Sequence, residues 1–131
     1  MKILTTLCLI IAIACSCNDL RRIAMQNKSS DTAEIIWTLN EDSLSNNPFL
    51  ISNSKELKFL LYPPNTKEIK MSFGPGNWSP TQVQKLVGYL ESLEIKTAKQ
   101  RIKIDSLPLL KDFLLARRKG IGGATIRIEV E

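Results

Sequence analysis

The 131-residue chain contains 18 lysines and arginines, 13 aspartates and glutamates, three cysteines and no histidine, and its formal net charge is +5. The missing histidine excludes Ser-His-Asp and Cys-His catalysis as well as histidine-based zinc and iron sites. So mild a basic charge does not by itself indicate a nucleic-acid partner, and we expect none.

A short apolar run near the N-terminus ends in two closely spaced cysteines. Lys2 precedes an apolar run over residues 3–14, and the first acidic residue is Asp19. About a dozen apolar residues are fewer than the roughly 20 that a helix needs to cross a bilayer. The segment is therefore predicted to be a secretory signal and not a lasting membrane span.

Small residues lead into both cysteines, as AIAC at 12–15 and as ACSC at 14–17. Both stretches resemble the lipobox of bacterial lipoprotein precursors. The resemblance implies cleavage before a cysteine, acylation of that cysteine, and anchoring to a lipid bilayer of the bacterial cell envelope. Cys17 is the favoured lipidation site because cleavage there leaves no unpaired thiol in an oxidising compartment, and Cys15 is the alternative.

The chain that follows is predicted to contain a tether and one domain. Residues 18–31 are polar and without clear periodicity, which favours a flexible tether. The tether is a plain solvated linker, or else Arg21 and Arg22 lie near anionic headgroups. The remainder is long enough for a single domain with its own core. The predicted organisation is a signal peptide over 1–16, a lipidated polar tether over 17–31 and a domain over 32–131.

Three strands are predicted in the first half of this domain. Residues 33–39 alternate between apolar and polar side chains, as a half-buried strand does. Residues 55–73 are interpreted as a hairpin with its turn at Pro63, Pro64 and Asn65. The predicted inward-facing side chains are Ile35, Trp37 and Leu39, then Leu57, Phe59 and Leu61, then Ile69, Met71 and Phe73.

The second half is predicted to contain two helices and two strands. Ser79 as N-cap and Pro80 at the first helical position begin a helix over 79–93, whose apolar positions are Val83, Leu86, Val87, Leu90 and Leu93. A strand over 99–105 follows. A second helix then begins near Ser106 and carries positive charge in its last turn before Gly120. Alternation over 124–131 predicts the final strand.

Clean alternation in most of the predicted strands indicates that each has one face in water. The sequence therefore predicts an α+β two-layer sandwich. About five strands form a largely antiparallel or mixed sheet, and the two helices cover one of its faces.

Two loops carry candidate binding residues. The stretch FGPGNWSP at 73–80 presents Trp78 as an aromatic anchor for a partner, or else Trp78 packs on the following helix. The stretch RRKGIGG at 117–123 gathers Arg117, Arg118 and Lys119 as an anion-binding patch, or else these cations only complement the helix end. A phosphate-binding loop is excluded because its glycines precede a helix, whereas these follow one.

Three functions of different classes remain open. The leading one is a noncatalytic envelope lipoprotein whose small domain binds an envelope protein partner, and the second is a structural or adaptor component of an envelope assembly. The third is a hydrolase that uses carboxylates alone. Because Glu91, Glu94, Asp105 and Asp112 are interpreted as surface or capping residues, we expect no enzyme, no catalytic or metal-binding residue and no cofactor.

Overall fold

The computed structural model describes residues 20–49, 54–63 and 68–131, so the predicted signal peptide and both lipidation candidates lie outside the described residues. Eight strands and two α-helices form within these ranges. They are β1 (Leu20–Asn27), β2 (Ala33–Leu39), β3 (Glu56–Leu61), β4 (Ile69–Pro75), α1 (Pro80–Val87), β5 (Leu90–Lys96), β6 (Arg101–Ile104), α2 (Leu107–Leu115), β7 (Arg118–Lys119) and β8 (Thr125–Val130).

The strands form two sheets of four. Sheet 1 has the order β4-β1-β8-β7, and sheet 2 has the order β3-β2-β5-β6. All neighbouring strands are antiparallel except β1 and β8, which are parallel. The predicted α+β class with two helices is confirmed, whereas the prediction of one five-stranded sheet is wrong.

The prediction of a flexible tether over 17–31 is wrong for residues 20–27, because they form β1 inside sheet 1. Ile23, Ala24 and Met25 in this strand are fully buried. The strand has no apolar alternation, because these three buried residues are consecutive and the next buried position is polar. That position is Asn27, whose amide nitrogen donates to the backbone carbonyls of Asp31 and Leu61 at 2.7 and 2.9 Å. A satisfied buried amide looks like a solvent-facing residue in the sequence.

The predicted hairpin over 55–73 is also wrong, although its two strands exist. β3 pairs with β2 in sheet 2, and β4 pairs with β1 in sheet 1. Their predicted inward side chains do pack against the core. Apolar alternation determines which face of a strand is buried, but it does not determine the partner strand.

Helix α1 begins as predicted and ends early. The Ser79 hydroxyl accepts a hydrogen bond from the Gln82 backbone N–H at 3.2 Å, and Pro80 occupies the first turn. The helix ends at Val87 with Gly88 as C-cap, and Leu90 begins β5. The predicted helix over 79–93 was too long because the apolar residues of β5 continue the helical spacing by chance.

Helix α2 ends at Leu115, so the placement of Arg117, Arg118 and Lys119 in its last turn is wrong. Residues 118 and 119 form β7, which pairs antiparallel with the start of β8. Gly120 then has a φ of +82°, a left-handed conformation that suits glycine, and reverses the chain toward β8.

Both sheets and both helices contribute to one hydrophobic core. Each helix packs against β5, and the two helices pack against each other. The largest fully buried side chains are Trp37, Trp78, Ile23, Met25, Ile35, Leu39, Leu90, Leu93, Leu110, Leu114, Ile126 and Ile128. Burial of this apolar surface is the main stabilising contribution to the fold.

Candidate functional site

A cleft of about 190 Å³ brings Arg117 together with residues from both sheets and from α2. We call it the Arg117 cleft. Its lining residues are Ile95, Thr97, Gln100, Ile102, Phe113, Arg117, Glu129, Val130 and Glu131.

Backbone hydrogen bonds at the end of α2 fix Arg117 in this cleft. Its N–H donates to Leu114 at 3.1 Å, and its carbonyl accepts from the Arg127 N–H of β8 at 3.0 Å. The guanidinium carbon lies 3.4 Å from the centroid of the Phe113 ring, and Nη1 donates to the Phe113 carbonyl at 3.0 Å. Four-residue spacing at the helix end places the cation over the ring.

The Arg117 guanidinium retains hydrogen-bonding capacity. Burial lowers its pKa, but arginine stays protonated in proteins. Within the described residues no carboxylate lies within ion-pair distance of it, and the Glu129 side chain at the rim pairs instead with Lys28 at 3.0 Å. A planar cation with unused donors above an aromatic ring suits a carboxylate or a peptide carbonyl.

The three predicted cations do not form one patch. Arg118 Nε donates to the Leu115 carbonyl at 3.1 Å, and its Nη1 donates to the Trp78 carbonyl at 3.2 Å. Side chains alternate along an extended chain, so Arg118 points away from Arg117. Lys119 is exposed and forms no ion pair in the part of the chain that the structure describes. Only Arg117 lines the cleft.

Trp78 is not an exposed anchor, so that hypothesis is wrong. Its side chain is 1% exposed, and its Nε1–H donates to the Arg22 carbonyl at 2.9 Å. The Phe73 ring lies 5.4 Å away, and the Arg21 guanidinium lies 5.1 Å from the indole. Trp78 therefore joins β1, β4 and the start of α1, in line with the packing alternative.

Arg21 lies in the predicted tether, but in the structure it belongs to this packing. Its guanidinium donates to the Gln82 Oε1 and to the Phe73 carbonyl, both at 2.7 Å. No local sequence signal predicted this role, because it depends on the pairing of β1 with β4. Gln82 thus accepts from Arg21 through its side chain while its N–H bonds the Ser79 cap.

A second charged region covers the outer face of sheet 2. We call it the ion-pair face, and define it by Glu34, Lys58, Glu94, Lys96 and Arg101. Lys96 contacts Glu34 and Glu94 at 3.9 and 3.6 Å, Arg101 contacts Glu94 at 2.8 Å, and Lys58 contacts Glu34 at 3.2 Å. The sequence predicts no such network, because Glu94 is interpreted there as an isolated surface residue.

The Glu94 carboxylate of the ion-pair face is poorly suited to acid catalysis. Burial raises the pKa of Glu94, but the hydrogen bond and charge of Arg101, with help from Lys96 and Lys103, hold this pKa below its usual value overall. A general acid needs a raised pKa to stay protonated near neutrality. Nearby, hydrogen bonds and charge from Glu91 and Glu41 raise the pKa of Lys55.

Within residues 20–49, 54–63 and 68–131, no cluster of three or more Asp, Glu, His or Cys side chains has a metal-binding arrangement. No helix in this part of the chain is both long and apolar enough to cross a membrane. Comparisons with protein-family models, with curated proteins and with solved structures find no match for this chain.

Proposed function

We propose that this protein is a noncatalytic lipoprotein of the bacterial envelope. An acylated cysteine, Cys17 or alternatively Cys15, holds it at a bilayer, and its domain binds an envelope protein partner through the Arg117 cleft. The observation that carries the partner-binding role is the Arg117 guanidinium, which stacks on Phe113 with unused donors and no carboxylate partner in the described residues.

The neighbouring edge of β8 indicates the kind of partner. β7 pairs only with Thr125 and Ile126, so beyond Arg127 this edge has no strand partner in the described residues. Glu129 and Val130 on the same edge line the cleft. An open strand edge accepts an extended peptide as an added strand. The proposed partner therefore presents an extended segment with a carboxylate that reaches Arg117.

Lipidation is tested by labelling cells with radioactive palmitate. We expect incorporation into the wild-type protein and none into the variant with both Cys15→Ser and Cys17→Ser, because acylation needs the cysteine sulfur. The single variants identify the acylated residue. Incorporation that survives the double substitution contradicts the anchoring half of the proposal.

The Arg117 cleft is tested with a photo-crosslinking residue at Ile102, which lines the cleft and is 39% exposed. We expect a discrete crosslinked band in intact envelopes that Arg117→Gln weakens several-fold. The matched control is Arg101→Gln, which removes the same charge from the ion-pair face and leaves the band intact. Equal loss of the band in both variants means that charge alone attracts the partner. The absence of any crosslinked band from position 102 contradicts the cleft as the binding site.

A further inference from the structure

Three segments meet where β1 begins. Leu20 pairs with Pro75 at the end of β4, the Arg22 N–H donates to the Ala124 carbonyl at 2.9 Å, and the Trp78 N–H donates to the Gly123 carbonyl at 3.0 Å. We call residues 20–22, 74–77 and 119–123 the glycine-rich end. All the glycines with positive φ among the described residues lie in it, at 74, 76, 120, 122 and 123.

The glycine-rich end combines an exposed apolar tip with unpaired positive charge. Ile121 is 91% exposed, more than any other large apolar side chain in the described residues, and Leu20 is 39% exposed. Arg22 and Lys119 are exposed and form no ion pair within the described chain. These three segments contain no Asp or Glu, although Asp19 directly precedes them. An exposed apolar side chain among cations is typical of a surface that contacts anionic lipid headgroups.

The few residues between the proposed lipidated cysteine and Leu20 limit how far the glycine-rich end can lie from the anchor. Leu20 lies three positions after Cys17, and an extended chain spans at most about 3.6 Å per residue, so the two Cα atoms lie within about 11 Å of each other. For Cys15 the limit is about 18 Å. β1 itself is about 23 Å long at roughly 3.3 Å per residue. Leu20 therefore stays near the anchor in every orientation, whereas the end of β1 at Asn27 approaches the bilayer only if β1 lies flat on the bilayer or points toward it.

We propose that the glycine-rich end is a membrane-docking surface that seats on anionic headgroups, with Ile121 in the interface and Arg22 and Lys119 against the phosphates. This inference rests on the lipidation proposed above. It also gives the domain an orientation. β8 runs away from the glycine-rich end toward Glu129, so docking leaves the outer part of the Arg117 cleft open to a partner.

The test uses the full lipidated protein, reconstituted into phosphatidylcholine vesicles with and without phosphatidylglycerol. A polarity-sensitive fluorophore is attached through Ile121→Cys, at a side chain too exposed to matter for folding. The matched control is Tyr62→Cys, which is 66% exposed and follows Leu61, whose carbonyl is bonded to Asn27 at the far end of β1. Cys17→Ser is added if Cys15 carries the lipid, so that the introduced cysteine is the only free thiol.

We expect the label at 121 to shift to the blue in anionic vesicles and to be quenched several-fold less by an aqueous quencher than the label at 62. Adding Arg22→Gln and Lys119→Gln reduces this difference. Vesicle flotation separates the two proposals. If the protein floats but both labels are equally quenched, anchoring stands and docking is wrong. If it carries no lipid and does not float, both proposals are wrong.

Discussion

The glycine-rich end and the ion-pair face are both rich in cations, but they use them differently. On the ion-pair face, Lys58, Lys96 and Arg101 each lie within 4 Å of a glutamate. At the glycine-rich end, Arg21 bonds a backbone carbonyl and a glutamine, and Arg22 has no ion-pair partner in the described residues. In the first region two glutamates offset most of the charge of three cations, whereas the second region has no carboxylate to offset its three cations.

This difference shows why the number of cations on a surface does not locate a binding site. Exposed ion pairs contribute little to stability, and their mutual neutralisation weakens attraction for an external anion. Cations that bond only uncharged groups are not neutralised, so their positive charge still attracts an external anion. The glycine-rich end is therefore the stronger candidate for contact with an anionic surface, although the ion-pair face carries a similar number of lysines and arginines.

The largest expected effect comes from removing the side chain that holds the glycine-rich end together. Trp78→Ala deletes a fully buried indole and its hydrogen bond to Arg22, so we expect the free energy of unfolding to fall by about 3–5 kcal/mol. Urea denaturation measures it. The control, Lys96→Ala on the ion-pair face, is expected to lower the free energy of unfolding by about 1 kcal/mol or less. Similar losses in the two variants contradict the view that the two regions are built differently.

A smaller and pH-dependent effect is expected from Glu94→Gln on the ion-pair face. The pKa of Glu94 is lowered in the folded chain, so its carboxylate contributes stability above the unfolded pKa of about 4.3, and this contribution is lost as the pH falls through the folded pKa. We expect a loss of about 1 kcal/mol or less at neutral pH, because the cation partners are largely exposed.

Urea denaturation across the acid range checks this prediction, and the stability of wild type and Glu94→Gln should converge as the pH falls. The matched control is Glu56→Gln, an exposed carboxylate on β3 that forms no ion pair in the described residues. That variant should follow the wild type at every pH. If the stability difference between wild type and Glu94→Gln stays constant as the pH is lowered, the difference comes from disturbed packing around the glutamine. In that case the lost ion pairs do not cause it.

Local signals predicted the parts of the fold that depend on neighbouring residues. The Ser79 cap and Pro80 start α1, and the alternation of Ile126, Ile128 and Val130 forms β8. β1 carries no apolar alternation, because residues 23–25 are buried in succession. Its remaining buried residue, Asn27, is polar and bonds to partners 4 and 34 residues away. β5 was missed because Leu90 extends the helical spacing of α1, and only Gly88 marks the break.

One residue of the candidate site could be predicted from the sequence, but the arrangement of side chains around it could not. The charge of Arg117 marks it as a candidate binding residue, and Arg117 does line a cleft. Its separation from Arg118 follows from α2 ending at Leu115, which places Arg118 in an extended strand with the opposite side-chain direction. The roles of Arg21 and Glu94 depend on strand pairing across distant parts of the chain, for which a single sequence carries no local signal.

The smallest stability effect is expected from neutralising the glycine-rich end itself. Arg22→Gln with Lys119→Gln should change the free energy of unfolding by about 0.5 kcal/mol or less, because neither side chain has an ion-pair partner to lose in the described residues. The control neutralises Lys96 and Arg101 instead, the two cations that contact the largely buried carboxylate of Glu94, so it should lower the free energy of unfolding by more.

Urea denaturation compares the two double variants, and vesicle protection of a label at Ile121 is measured in parallel. If Arg22 and Lys119 dock on lipid, their replacement lowers protection and leaves stability unchanged. A stability loss equal to that of the control shows instead that these cations serve the fold.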